Sequence, residues 1–169
     1  MTVDEIISNA ASRYGIPSQL FHAITQVESS GLVYATRYEP GYRWLWDVRE
    51  DRPYEGDPEN LPSKSRFCTQ ATELIGQRTS WGLVQIMGAT ARELGFQGPF
   101  LAGLLDPKTN TNYGAMYLSR LYRRFADEGG WEAVAAAYNA GSPRRGDDGR
   151  WINQQYIDRL REAGWEGES

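Results

Sequence analysis

Apolar residues recur at helical spacing through most of the 169-residue chain, and the interruptions fall at glycine or proline. Thr2 and Glu5 have the spacing of a capping box, and Ile6, Ile7, Ala10, Ala11 and Tyr14 follow as one stripe that stops at Gly15. Pro17 and Ser18 open a second helix, with Leu20, Ala23, Ile24 and Val27 on its buried face and Gly31 as its stop. Asp106-Pro107 reads as an N-cap with proline at the first helical position, where its missing N–H costs nothing. The helix it starts carries Tyr113, Met116, Tyr117, Leu118, Leu121, Tyr122 and Phe125 and runs out at Gly129-Gly130. A short Ala-rich helix over 131–139, closed by Gly141, and a last one over 152–163 complete the set, and the tail after Gly164 is expected to fray.

The stretch 34–79 breaks this pattern. Pro, Gly, Arg, Asp and aromatic residues dominate it, with one short helical run at 69–75. A connection that long inside a compact domain is usually functional or disordered, and Trp44, Leu45 and Trp46 favour packing over disorder. There is no internal repeat and no interdomain linker. The expected architecture is therefore all-α: one globular domain over 1–169 with a long inserted loop region at about 34–79. A chain of this length buries about two-thirds of its unfolded surface and needs no staple to fold.

Composition narrows the function classes. Six Trp, ten Tyr and five Phe are many for this length, and flat rings that the core does not need can line a groove for sugars or other extended ligands. A net charge of −4 argues against nucleic acid, whose phosphates require a basic face. Cys68 is the sole cysteine, so no intramolecular disulfide can form, and it reads as a small apolar filler. With His22 the sole histidine, neither a metal centre nor a cofactor is expected. No run approaches the ~20 apolar residues of a membrane span. The acidic start Met1-Thr2-Val3-Asp4-Glu5 lacks an export signal, so a monomer made in the cytoplasm is expected, with any work outside depending on delivery by other components.

The sharpest chemical feature is Val27-Glu28-Ser29-Ser30-Gly31. Glu28 stands one residue past the apolar run, in the last turn of a buried helix. Partial burial and the negative end of the helix dipole both disfavour its anion, and a carboxyl that keeps its proton is what an acid catalyst needs. From spacing alone, the simpler reading is an exposed glutamate at a helix end.

Three further segments change the weighing: Ser80-Trp81-Gly82-Leu83-Val84-Gln85-Ile86 continuing to Thr90-Ala91, then Ala136-Ala137-Tyr138-Asn139-Ala140-Gly141, and Tyr156 on the final helix. In this order and spacing, the Glu-Ser…Gly, Gly-Leu-x-Gln-Ile…Thr-Ala and Ala-Tyr-Asn-Ala-Gly blocks resemble the goose-type lysozyme and soluble lytic transglycosylase family. The resemblance covers residues 3 to about 160. It implies a lysozyme-like α-domain whose groove takes peptidoglycan glycan strands of alternating N-acetylmuramic acid and N-acetylglucosamine. Carried over by position, Glu28 is the catalytic glutamate. Gln85, with main-chain groups near Val84, holds a sugar's N-acetyl group. Tyr138 and Asn139 line the groove, and Tyr156 stands near the catalytic carboxyl. Two positions depart from the pattern, Val84 for the usual Met and Gly88 for the usual Pro. Trp151 occupies a place where an acidic residue is expected.

In lytic transglycosylases of this family one glutamate serves as acid and then base, and the product is a 1,6-anhydro sugar. A hydrolytic muramidase instead needs a second carboxylate to activate water. Glu39 is the candidate and Asp47 the next, although the simpler reading of Glu39 is an ion pair with Arg37 or Arg43, or plain solvation. Arg37 and Tyr38 are further candidates for the groove wall. A non-catalytic peptidoglycan-binding or structural module is the alternative from another class. Compact size without a wall anchor also resembles a phage endolysin or virion-associated lysin, released to the wall through a holin or carried on the particle.

Overall fold

A computed structural model of the protein describes residues 1–167. The chain is mostly helical, with a few short strands. Helix α1 (Val3–Tyr14) starts as its sequence dictates: the Thr2 hydroxyl accepts from the Glu5 N–H, and the Glu5 carboxylate accepts from the Thr2 N–H at 2.7 Å. Helix α2 (Ser18–Ser29) buries Leu20, Phe21, Ala23 and Ile24. Its stop comes one residue before Gly31, because Ser30 itself adopts a left-handed conformation (φ 53°) and bonds back to the Gln26 carbonyl.

Residues 34–79 hold more regular structure than their pattern suggests. Strand β1 (Thr36–Tyr38) is followed by a small hairpin of β2 (Trp46–Asp47) and β3 (Arg52–Pro53), a 3-10 turn at Pro58–Asn60, and helix α3 (Gln70–Gln77). Strands of two or three residues are too short to show a period, so sequence patterning could not find them. A buried polar network fastens this region to the rest. Arg92 donates to both oxygens of Glu73 at 2.8 and 2.9 Å, with the two side chains 1% and 0% exposed. Gln77 donates to Glu73 and to the Trp46 carbonyl and accepts from the Trp46 N–H. Arg92 spends a further nitrogen on the carbonyls of Phe96 and Gly98. Pairing both charges with this many partners is what makes their burial tolerable. Cys68 is buried beside Glu73, and burial and that charge push its thiol pKa up, which keeps it an inert filler.

Strand β4 (Thr79–Trp81) pairs antiparallel with β1 on one side and with β5 (Ile86–Met87) on the other. Helix α4 (Gly88–Glu93) follows directly. Gly88 stands there because a Cβ would lie 2.1 Å from the Gly76 carbonyl oxygen of α3, which also explains the missing proline. Helix α5 (Pro107–Phe125) is capped by Asp106, whose carboxylate accepts from the Thr109 N–H at 2.8 Å. It ends at Phe125, and a 3-10 turn covers 126–128. Helices α6 (Gly130–Ala140) and α7 (Gln154–Glu162) complete the fold. α5 packs on α1 and α6, while α7 closes over α2 and α6. The tail does not fray at Gly164: Trp165 is only 2% exposed and joins the core. Residues 168–169 of that expectation lie outside the described residues. No helix among the described residues is long and apolar enough to cross a membrane.

Candidate active site

The last turn of α2 is tied down by its own sequence. Ser29 donates its hydroxyl to the Leu83 carbonyl at 2.8 Å, linking the helix end to the turn between β4 and β5. Glu28, next to it, is half-buried. Tyr156, on the first turn of α7 and 5% exposed, donates its hydroxyl to Glu28 Oε1 at 2.8 Å. Burial raises the Glu28 pKa above its ordinary 4.5, outweighing the Tyr156 hydrogen bond and the charges of Arg37 and Arg159, which all favour the anion. The Tyr156 phenol is held well above its usual pKa by burial and by the Glu28 charge, so it remains a donor. Arg159 is fixed at the same helix end, donating to the Val27 carbonyl at 3.0 Å.

The turn between β4 and β5 forms the neighbouring wall. Gly82 sits at φ +68°, and a Cβ there would lie 2.5 Å from Asn110 Nδ2, so two separate constraints require glycine. Gln85 adopts the left-handed conformation (φ 48°) without being glycine, held by its own side chain. Its Nε2 donates to the carbonyls of Ala35 and Gly82, and its Oε1 accepts from the Ser80 hydroxyl. The amide therefore staples Ala35, just before β1, to β4 and the turn. Val84 is fully buried; its N–H donates to Asn110 Oδ1 at 3.0 Å and its carbonyl accepts from the Tyr138 hydroxyl at 2.5 Å. Tyr138 packs on Tyr117 with ring centroids 5.5 Å apart, and the exposed Asn139 accepts from Asn153 Nδ2.

Glu28, Glu39, Gln85, Tyr138 and Asn139 line one cavity of about 360 Å³, together with Arg37, Tyr42, Ser80 and Met87. A second section of about 440 Å³ shares Tyr42, Gln85, Met87, Tyr138 and Asn139 with it. A third, of about 530 Å³, takes in Asn139, Arg150 and Arg159 beside Tyr156. Asn139 lines all three, so they adjoin as one open groove, with Glu28 in the first section. Glu28, Glu39, Arg37, Gln85, Tyr138, Asn139 and Tyr156 thus meet in or beside one groove. Val84 lies beneath its surface and contributes through its main chain.

The second-carboxylate candidates separate. Glu39 faces the same cavity as Glu28, with Oε1 2.5 Å from Arg37 Nε. Asp47 is buried in the hairpin, where its Oδ1 accepts from the N–H groups of Arg49 and Glu50 and closes the turn. Tyr38 is exposed on β1 and does not line the cavity. Trp151, standing where an acidic residue was expected, is 4% exposed with the Arg145 guanidinium 3.6 Å from its ring centroid. Sequence reasoning missed Tyr42, Ser80, Met87 and the fully buried Asn110. Ser80 stood only as the first residue of a quoted segment, and Asn110 left a faint signal as an amide three positions after Pro107 on what becomes the core side of α5. Among the described residues, no three His, Cys, Asp or Glu side chains converge as a metal site.

The family model described as the transglycosylase SLT domain matches residues 61–162. No solved structure matches the chain. The matched span contains Gln85, Tyr138, Asn139 and Tyr156. Glu28 and Glu39 precede it and reach the groove through the fold.

Proposed function

The chain belongs to the transglycosylase SLT domain family, and from that premise we propose that it is a peptidoglycan lytic transglycosylase with Glu28 as general acid and then general base. It would cleave the β-1,4 bond between N-acetylmuramic acid and N-acetylglucosamine. The observation that carries this reading is the half-buried Glu28 carboxyl in a groove, its pKa raised by burial and one oxygen bound by Tyr156. In the first step Glu28 gives its proton to the glycosidic oxygen as the C1–O bond breaks. The substrate's own N-acetyl oxygen stabilises the cation at C1, so no protein nucleophile is needed. Tyr156 donates to the Glu28 carboxylate as it forms. In the second step that carboxylate takes the proton of the C6 hydroxyl, whose oxygen bonds to C1 and closes the 1,6-anhydro ring. Water is neither consumed nor released, and Glu28 ends protonated. General acid–base catalysis of this kind contributes ~10²–10⁴-fold.

Gln85 and Val84 support this reading as the frame of the groove wall. Their hydrogen-bonding groups hold the wall in shape, and Tyr138 and Asn139 offer the surface that a sugar would meet.

Hydrolysis is the second reading, favoured by one observation: Glu39 lines the same cavity as Glu28. Its carboxylate is already engaged by Arg37, which favours the transglycosylase. Mass spectrometry of muropeptides released from purified sacculi decides between them. The proposal expects products lighter by one water than reducing-end sugars, from wild type and Glu39→Gln alike. Reducing-end products that vanish in Glu39→Gln would establish the muramidase instead. Equal release by wild type and Glu28→Gln would remove Glu28 from the chemistry, and no release by wild type would leave a binding module.

A further inference from the structure

The roughly 440 Å³ section of the groove contains an indole that the chemistry at Glu28 does not use. Trp44 lines it and is 69% exposed, whereas the adjoining Leu45 is 4% exposed. The backbone around it is fixed on both sides: Gln77 clamps both main-chain groups of Trp46, and Arg78 donates to the Tyr42 carbonyl at 3.0 Å. The Arg43 guanidinium lies 5.1 Å from the ring centroid, and the rest of the ring, open to water along the groove, is a preformed apolar contact surface. Tyr42 and Tyr117 line the same section. Its charged lining groups are Glu93 and Arg120, and they neutralise each other through two hydrogen bonds of 2.8 and 3.1 Å.

That chemistry selects an occupant. Flat apolar rings beside a rim of donors and acceptors, with Arg43 next to Trp44, suit a sugar, which has an apolar ring face and hydroxyl edges. Five lining residues are shared with the Glu28 section, so one continuous strand can lie in both.

We propose that Trp44 is a sugar-stacking platform that binds the same glycan strand beyond the cleavage point and makes the enzyme prefer long strands. The proposal rests on the lytic reading of the groove. Trp44 stands in the stretch before the matched family span, so the preference would be a property of this chain's own residues 34–79.

The test compares wild type, Trp44→Ala and Trp44→Phe on purified strands of alternating N-acetylmuramic acid and N-acetylglucosamine, from tetrasaccharide to octasaccharide. Trp44→Ala should lose about tenfold in kcat/KM on the octasaccharide, mostly in KM, and nothing on the shortest strand cleaved, while Trp44→Phe keeps most of the wild-type value. Equal rates at every length, or an equal loss at every length, would overturn the platform. Calorimetric binding of the octasaccharide to Glu28→Gln, with and without Trp44→Ala, separates the two ideas. Trp44-dependent binding by a protein whose wild type cleaves nothing would refute the lytic reading and keep the platform. Cleavage with Trp44-independent binding would do the reverse.

Discussion

Replacing Tyr156 with Phe removes one hydroxyl from a 5%-exposed ring and leaves its packing in place, so the change isolates a single hydrogen bond. That bond runs at 2.8 Å to Glu28 Oε1. It is strong when Glu28 is an anion and weak when Glu28 is protonated. A hydrogen bond to a charged group contributes ~1.5–3 kcal/mol. In the transition state the proton is only partly transferred, so roughly half of that range is lost there, or about fourfold to tenfold in kcat. KM should change little, because the bond is made to the catalyst and not to the sugar. The sign of the pH effect follows from the same asymmetry. The phenol favours the carboxylate, so without it the proton is held more tightly and the Glu28 pKa rises further above its ordinary value. The alkaline limb of the rate profile, which reports loss of the acid's proton, should move to higher pH. Loss of turbidity of purified sacculi, followed from about pH 5 to about pH 9, measures both effects. An alkaline limb that stays put or moves down, or an unchanged kcat, would refute the coupling of Tyr156 to Glu28.

Three further outcomes follow from packing and linkage. Arg92→Met strands the buried Glu73 charge and should cost ~3–5 kcal/mol, a fall of about 6–20 °C in Tm, read by thermal unfolding. Gly88→Pro, which restores the residue usual in the family, should destabilise by at least ~1–3 kcal/mol because its Cβ meets the Gly76 carbonyl, and denaturant unfolding would report it. Glu28→Gln should be as stable as wild type below the ordinary carboxyl pKa of 4.5 and more stable at about pH 7. The raised pKa means the folded protein binds more protons than the unfolded chain between the two values, so wild-type stability falls as pH rises through that window. Melting curves at about pH 4 and about pH 7 check it, and a wild type that gains on the variant with rising pH would contradict it.

The helices were legible because each carries a long period and an explicit end. Thr2 with Glu5, Asp106 with Pro107, and Gly141 all act at their expected places. What escaped was short or non-local. Strands β1 to β5 span two or three residues each, and α4 spans six, below the length at which a period declares itself. The Glu73–Arg92 pair joins positions nineteen apart, and Trp165 packs into a core that no tail motif announces. At the site, Glu28 and Tyr156 stood out in the sequence, but their contact joins residues 128 apart and only the fold makes it. Gln85 and Val84 show the opposite gap. Their positions were readable, whereas their engagement with Ala35, Gly82, Ser80, Asn110 and Tyr138 was not. Tyr42 and Trp44 lay in aperiodic text, where composition suggested a groove but could not say which ring faces it.

The most direct test is a carbon-13 NMR titration of the Glu28 carboxyl in the wild-type protein, its resonance identified by its absence from Glu28→Gln. A midpoint above the ordinary value of 4.5, shifting upward again in Tyr156→Phe, is the predicted result. A midpoint at or below 4.5 would mean the group is already ionised where it must deliver a proton, and Glu28 could not be the acid.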